Sequence, residues 1–447
     1  MRLVLAHGIG GVQDLPVPAW LFYYGGAAVL VLSFLGLGAL WKRPLLERAR
    51  TRPLAPLLVP PLRLLCGLAS VFLLGVVAFA AAAGLNSPDR NLAPTFVYVL
   101  FWVGLPIVSV LLGNVWRWLS PWRAAADAVA WSARRLGVPA EAPFEYPERL
   151  GRWPAALLLG CFTALELAYF DPSDTRALAL AIFLYSAVTW LGMLTFGREA
   201  WTQNGEAFAV YLGFFSRIAP LARRGRTLAA RPPLTGLTRL DTFRPGSLAF
   251  VAVMLGSTAF DGFSRTRVWQ NWRYSLQSHW VVSSPTTADW VGVGLNALGL
   301  LAAACLVALT YSVAVELGGL AREQAPRSAF LGSLVPIAFA YVLAHYFSLL
   351  VLQGQASIAM VSDPFGRDWD LFGTARHGVD LTLLRPQLVW YVQVAALVTG
   401  HVLGLVVAHD RALALAGSAK RALRSQYAML ALMILYTVGG MWILSRP

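Results

Sequence analysis

Long apolar runs separated by short, arginine-rich connections dominate the chain. A helix crossing a bilayer needs about 20 mainly apolar residues, because its backbone polar groups must be paired inside the segment. Ten runs meet or approach that length, near 20–41, 62–85, 94–113, 153–170, 176–196, 247–262, 290–319, 330–353, 388–409 and 426–444. The fourth and sixth are short, which suits tilted or partly re-entrant helices, and the seventh is long enough to begin as an interfacial turn. The pattern predicts an all-α, polytopic transmembrane helical bundle of about ten spans, forming a single integral membrane domain over 1–447. No soluble domain and no convincing internal repeat interrupt it, and the missing repeat argues against an inverted-repeat transporter.

Composition agrees. Of 447 residues, 57% are hydrophobic and 13% charged, against about 25% charged in soluble domains, and the mean hydropathy is +0.61. The net charge of +14 does not point to nucleic acid, because the arginines cluster between apolar runs, where the bilayer's own charge rule explains them. The expected partners are therefore the lipid bilayer and a small apolar substrate or a metal ion. Cys66, Cys161 and Cys305 all fall within apolar runs. They offer neither a disulfide framework nor a CxxC metal spacing and read as small core residues.

Loop charge sets the orientation. The connections after the first, third, fifth and ninth runs carry most of the arginines, among them Arg43, Arg117, Arg198 and Arg411. With ten spans these loops share one side, which the positive-inside rule makes the cytoplasm. The expectation is a plasma-membrane protein with both termini extracytoplasmic, including the segment 1–19. The 263–289 loop dissents, since it carries Arg265, Arg267 and Arg273 on the outside. Two cytoplasmic stretches alternate aromatic and basic residues, 114–137 clearly and 198–221 less so. Both are expected as amphipathic helices anchored at the headgroups.

Against this background, ionisable side chains inside apolar runs are the candidate chemistry, because hydrocarbon makes them expensive. His345 lies in the outer half of the eighth run and His401 near the middle of the ninth. Glu166 and Asp261 sit late in outward-running segments, Gln353 and Gln355 follow His345 at the outer boundary, and His7 and Asp14 lie in the outer N-terminal segment. His, Asp and Glu thus share a depth, as a polar pocket opening outward would require. The reading takes His345, His401 and His7 as metal ligands, with zinc or copper as the ion. Glu166 and Asp261 are then ligand or general base. The competing reading is a His pair bonded to backbone or hydroxyls within the bundle, and Asp14 before Leu-Pro equally suits a turn. His409 follows His401 by about 12 Å along one helix at 1.5 Å per residue, too far to share an ion, so its expected role is structural. His279 and His377 read as solvated loop residues. Only six residues precede His7, too few for a signal h-region. If the chain began further upstream and were cleaved after Ala6, His7 would become an amine-plus-imidazole copper chelate.

Four stretches, LAHGIGGVQDLPVPAWLF, GSTAFDGFSRT, AHYFSLLVLQGQ and TGHVLGLVVAHDRA, together resemble polytopic actinobacterial membrane proteins labelled fenitrothion hydrolase-like, along the whole length. The resemblance implies a membrane-bound hydrolase of organophosphate triesters and transfers no catalytic residue. Walker, GxSxG and HExxH motifs are absent. Two further functional readings stand beside the hydrolase. One is a transporter or metal-delivery protein, which the apolar inner halves of the eighth and ninth runs disfavour. The other is a subunit of a membrane redox complex with His-ligated cofactors.

Overall fold

The computed structural model describes residues 18–56, 59–138, 141–238, 244–281, 284–320 and 327–445. The segment holding His7 and Asp14 lies outside the described residues. Among the described residues nine helices are long and apolar enough to cross a membrane, with Trp153–Leu167 as a shorter tenth. In chain order they are α1 (Ala19–Leu40), α2 (Val59–Ala83), α3 (Leu92–Leu112), α4 (Pro121–Arg135), α5 (Trp153–Leu167), α6 (Thr175–Phe196), α7 (Arg198–Asn204), α8 (Ala207–Phe215), α9 (Ser247–Ser264), α10 (Arg267–Val281), α11 (Pro285–Leu317), α12 (Leu334–Ser362), α13 (Pro386–Ala416) and α14 (Tyr427–Leu444), of which α4, α7, α8 and α10 are not spans. The chain is therefore a multi-pass helical membrane protein, and all ten predicted spans have a helix.

Burial inverts the soluble pattern. Large apolar side chains such as Leu64, Leu68, Phe72, Leu184 and Leu301 face outward, where lipid replaces water as their solvent. The central helices are α9 and the α12 region, with 67% and 61% of their apolar windows buried. Cys161 and Cys305 are exposed and Cys66 half-exposed, all as free thiols. They are not core residues, since an apolar exterior accepts a thiol as readily as an interior does.

Helix spacing is set by small residues. Gly400 and Gly404 form a GxxxG pair on α13. A Cβ on Gly400 would collide with the Ala340 side chain of α12, and one on Gly404 would sit 2.7 Å from the Ser333 carbonyl oxygen. Between lipid-immersed helices such backbone approach replaces the hydrophobic drive. Gly256 serves the α9–α11 crossing likewise, with Ala304 Cα 2.7 Å from its would-be Cβ. Within α3, residues Phe96–Gly104 form a π-helical stretch. The following Pro106 has no N–H to give the preceding turn, and such bulges concentrate at functional sites.

The two ends of the bundle are tied differently. At one end a small antiparallel sheet, in the order β1 (Arg52–Pro56), β3 (Thr227–Ala230), β2 (Leu221–Arg224), joins the loop after α1 to the loop after α8. Pro53 and Pro56 confine β1 to an edge, and the register shifts at Pro53/Ala55. At the same end the Asp410 carboxylate accepts from Trp41 Nε1, Leu46 N and Glu47 N, each at 3.0 Å. His409 beside it accepts from Gln426 and donates to the Trp41 carbonyl, which ties α13 to the loop after α1. At the opposite end Leu85 N and Leu92 N donate to the carbonyls of Phe365 and Pro364, and Asn86 holds Asp174 and Thr175. The arginine-rich loops thus share one face.

Three expectations need correction. Residues 198–221 are not an amphipathic surface helix throughout: Phe208, Tyr211, Leu212, Phe214 and Phe215 of α8 are buried in the core. Glu206 makes this possible by capping α8 from its buried N-terminus. Its carboxylate accepts from Phe208 N, Ala209 N, Tyr185 Oη and Trp116 Nε1, satisfying donors that would otherwise be orphaned. The 114–137 stretch is only partly interfacial, because Trp122 and Arg123 at the start of α4 are buried while Trp131 is exposed. The 263–289 connection is mainly the helix α10, without a single buried residue. It exposes Trp272, Tyr274 and Trp280 beside its arginines, as an interfacial helix does.

Because the α12–α13 joint depends on backbone contact, Gly400→Val should destabilise the fold by about 2–3 kcal/mol through overpacking, with Gly25→Val, which meets open space, nearly neutral. Unfolding midpoints in detergent check the contrast.

Candidate functional site

Asp261 stands one turn before the end of α9, almost fully buried. Four residues on, Arg265 lies on the same helix face and brings both Nε and a terminal nitrogen within 3.0 Å of Asp261 Oδ1. The other oxygen, Oδ2, accepts from α12: His345 Nε2 and Tyr346 Oη each lie at 2.8 Å. Facing a carboxylate, His345 donates through Nε2–H. Asp261 therefore joins α9 to α12 and aims Arg265.

Asp261 and Arg265 form part of the wall of an open cavity of ≈ 590 Å³. Its mouth is built from loop residues Asp89, Ser173 and Val379 at the arginine-poor end, and Glu166, Asp261 and Ser348 lie deeper. Most of the remaining lining is apolar, including Val99, Leu349, Leu352 and Met360. Tyr98, from the π-helical stretch, lines it too and donates to the Pro172 carbonyl.

Glu166 ends α5 and faces this cavity. Its carboxyl lies within electrostatic reach of both Asp261 and Arg265. Oε2 is sealed from solvent and has no hydrogen-bond partner among the described residues. The same holds for Ser348 Oγ on the cavity wall and for Tyr211 Oη, which is in electrostatic reach of Glu166. Buried polar atoms without partners are rare in folded proteins, and each calls for a water, an ion or a ligand. Sequence reasoning found Glu166, Asp261 and His345 but missed Arg265, Tyr346, Ser348 and Tyr211. The i,i+4 spacing of Asp261 and Arg265 was the one available signal.

The structure separates the two intramembrane histidines. His401 is fully buried on α13, its Nδ1 donates to the Leu397 carbonyl at 2.8 Å, and its ring meets Tyr341 edge-on. Its Nε2 has no partner among the described residues. The ring lies against the α12–α13 joint that Gly400 and Gly404 close, whereas His345 turns to α9. Gln353 lines the cavity, but the Gln355 side chain brackets the Asp380 backbone, donating to its carbonyl and accepting from its N–H. His279 and His377 are exposed, His279 on α10 rather than in a loop.

Whether a divalent metal fits is a question of donors. Asp261 already spends both oxygens on a guanidinium, an imidazole and a phenol. Among the described residues no three His, Cys, Asp or Glu side chains converge as a metal-holding group, and His7 lies outside them. The described donors form a hydrogen-bonded ion cluster. Comparison of the chain with protein-family models, with curated proteins and with solved structures finds no match.

Removing one partner of such a cluster leaves the rest uncompensated. Asp261→Asn should cost about 3 kcal/mol, and His345→Ala, which removes one of several donors, about 1 kcal/mol. The order of unfolding midpoints, Asp261→Asn lowest, checks the hierarchy.

Proposed function

We propose that the chain is a membrane-embedded hydrolase of small, largely apolar esters. Glu166 acts as general base, Arg265 as the cation that receives charge developing on the acyl or phosphoryl oxygen, and Asp261 as the positioning residue for Arg265. The observation that carries this reading is Glu166 Oε2, without a hydrogen-bond partner among the described residues and within electrostatic reach of a guanidinium that Asp261 clamps, with both residues lining one largely apolar cavity. A carboxylate there takes a proton from water as the water attacks, and the fixed guanidinium stabilises the oxyanion without reorganisation. The bond to the leaving group then breaks, its electron pair goes to the departing oxygen, and Glu166 returns its proton to the alkoxide or phenolate. His345 and Tyr346 hold Asp261 from behind. The resemblance to fenitrothion hydrolase-like proteins suggests phosphotriesters as the ester class, and the apolar lining suits substrates that partition into lipid.

Purified protein should hydrolyse an aryl dialkyl phosphotriester, read by phenolate release. Glu166→Gln and Arg265→Gln should each lower the rate about 100-fold while eluting as folded protein. Saturable binding of the triester without turnover would replace the hydrolase by a carrier. Rates lost on chelation, together with stoichiometric zinc or copper in the wild type, would assign a metal shell with His7 as a ligand.

We further propose that the arginine-rich face is cytoplasmic, which puts the cavity mouth and both termini outside the plasma membrane. The shared face of the arginine-rich loops supports it. In cells expressing a cysteine-free background, Ala375→Cys should react with an impermeant maleimide and Arg226→Cys only after lysis. The reverse pattern overturns the orientation.

A further inference from the structure

The 363–385 connection, at the arginine-poor end, holds apolar side chains out of the protein. Phe372 and Leu381 are 68% and 63% exposed, and their neighbours Leu371 and Leu383 are exposed too. Single exposed apolar residues are ordinary, whereas several held out on one loop mark a contact surface. Local hydrogen bonds fix the loop in this form. The Asp363 carboxylate accepts from Arg367 N and Asp368 N, Ser362 Oγ accepts from Phe372 N and Thr374 N, and Asp370 accepts from Ala375 N. With these backbone donors paired locally, the loop keeps its shape without burying its apolar side chains.

Two contacts put this loop at the lipid boundary. Phe365 packs edge-on against Phe79, with ring centroids 5.0 Å apart, and Phe79 is itself exposed on the spanning helix α2. Gly366 passes so close to Leu85, an exposed residue just past the end of α2, that a Cβ on it would sit 2.9 Å from the Leu85 Cβ. The loop therefore starts from the lipid-facing surface of the bundle. It also edges the ester cavity, which Val379 and Leu381 line. Between them, Asp380 is pinned to α12 by the Gln355 side chain, which donates to the Asp380 carbonyl at 3.3 Å and accepts from its N–H at 3.0 Å. Leu381 is thus at once a cavity-lining residue and an exposed one.

We propose that this loop inserts its apolar side chains into the adjoining lipid leaflet, and that its Val379–Leu381 edge opens the ester cavity to the hydrocarbon of that leaflet. Phenylalanine and leucine on such a surface seat at the boundary between headgroups and acyl chains. The helix α10 supplies a second interfacial element at the same end: it follows directly after Arg265 on the cavity wall and exposes Trp272 and Trp280. Resting on the hydrolase reading, the ester then reaches Glu166 from lipid rather than from water.

The test uses the full chain in phosphatidylcholine nanodiscs, in a cysteine-free background carrying one cysteine labelled with the fluorophore NBD. Labels at Phe372→Cys and at Leu381→Cys should each emit blue-shifted light that chain-brominated phosphatidylcholine quenches by about twofold or more. A label at Ala375→Cys, beside the Asp370 carboxylate, should emit as in water and resist quenching. An unquenched label at Phe372 overturns the insertion and leaves this face to a protein partner. Quenching at Phe372 without quenching at Leu381 overturns the opening of the cavity to lipid. Neither readout needs turnover, so both hold even where the wild type hydrolyses nothing and the hydrolase reading fails. With turnover, Leu371→Ser combined with Phe372→Ser should raise KM for a lipid-dissolved phosphotriester about tenfold and leave kcat unchanged, since neither side chain lines the cavity. An unchanged KM overturns loading from lipid.

Discussion

One buried carboxylate, Asp261, organises the half of the molecule opposite the arginine-rich loops. Hydrocarbon cannot solvate it, so it must collect its donors from protein, and it does so from two helices at once. The consequence is mechanical as well as electrostatic. The α9–α12 joint is held at the depth of Asp261, Arg265 is turned toward the cavity, and His345 and Tyr346 are committed to support. Glu166 Oε2, on a third helix, has no hydrogen-bond partner among the described residues.

Glu206 solves the same problem at the other end. A short helix inserted into the core exposes its first backbone N–H groups to a medium without water, and one carboxylate satisfies two of them along with an indole and a phenol. Asp410 repeats the device where α13 meets the loop after α1. At both places an acidic side chain supplies the acceptors that the backbone lacks.

Glycine decides which polar residues can meet. Gly400 and Gly404 let α13 lie against α12 at backbone distance, and this places His401 inside that joint rather than at the cavity. Two histidines at comparable depth on adjacent helices therefore face different neighbours. Depth along the membrane normal is a property of sequence position, whereas rotation about a helix axis is a property of its packing.

The sequence by itself determined the class, the spans and the sidedness of charge. Runs of about 20 apolar residues have one stable form in a bilayer, and each of the ten runs found its helix, with α12 and α13 running on past the predicted ends to Ser362 and Ala416 and the arginine-rich loops together on one face. It also singled out Glu166, Asp261 and His345, because an ionisable group in hydrocarbon is conspicuous wherever it packs. Only the tertiary structure decided which of these groups touch. It joined Asp261 to His345 rather than His345 to His401, and drew α8 into the core. The physical reason is that helix formation and membrane insertion are set by local apolar length. Contacts between helices are set instead by side-chain shape and helix rotation, which a hydropathy pattern does not encode.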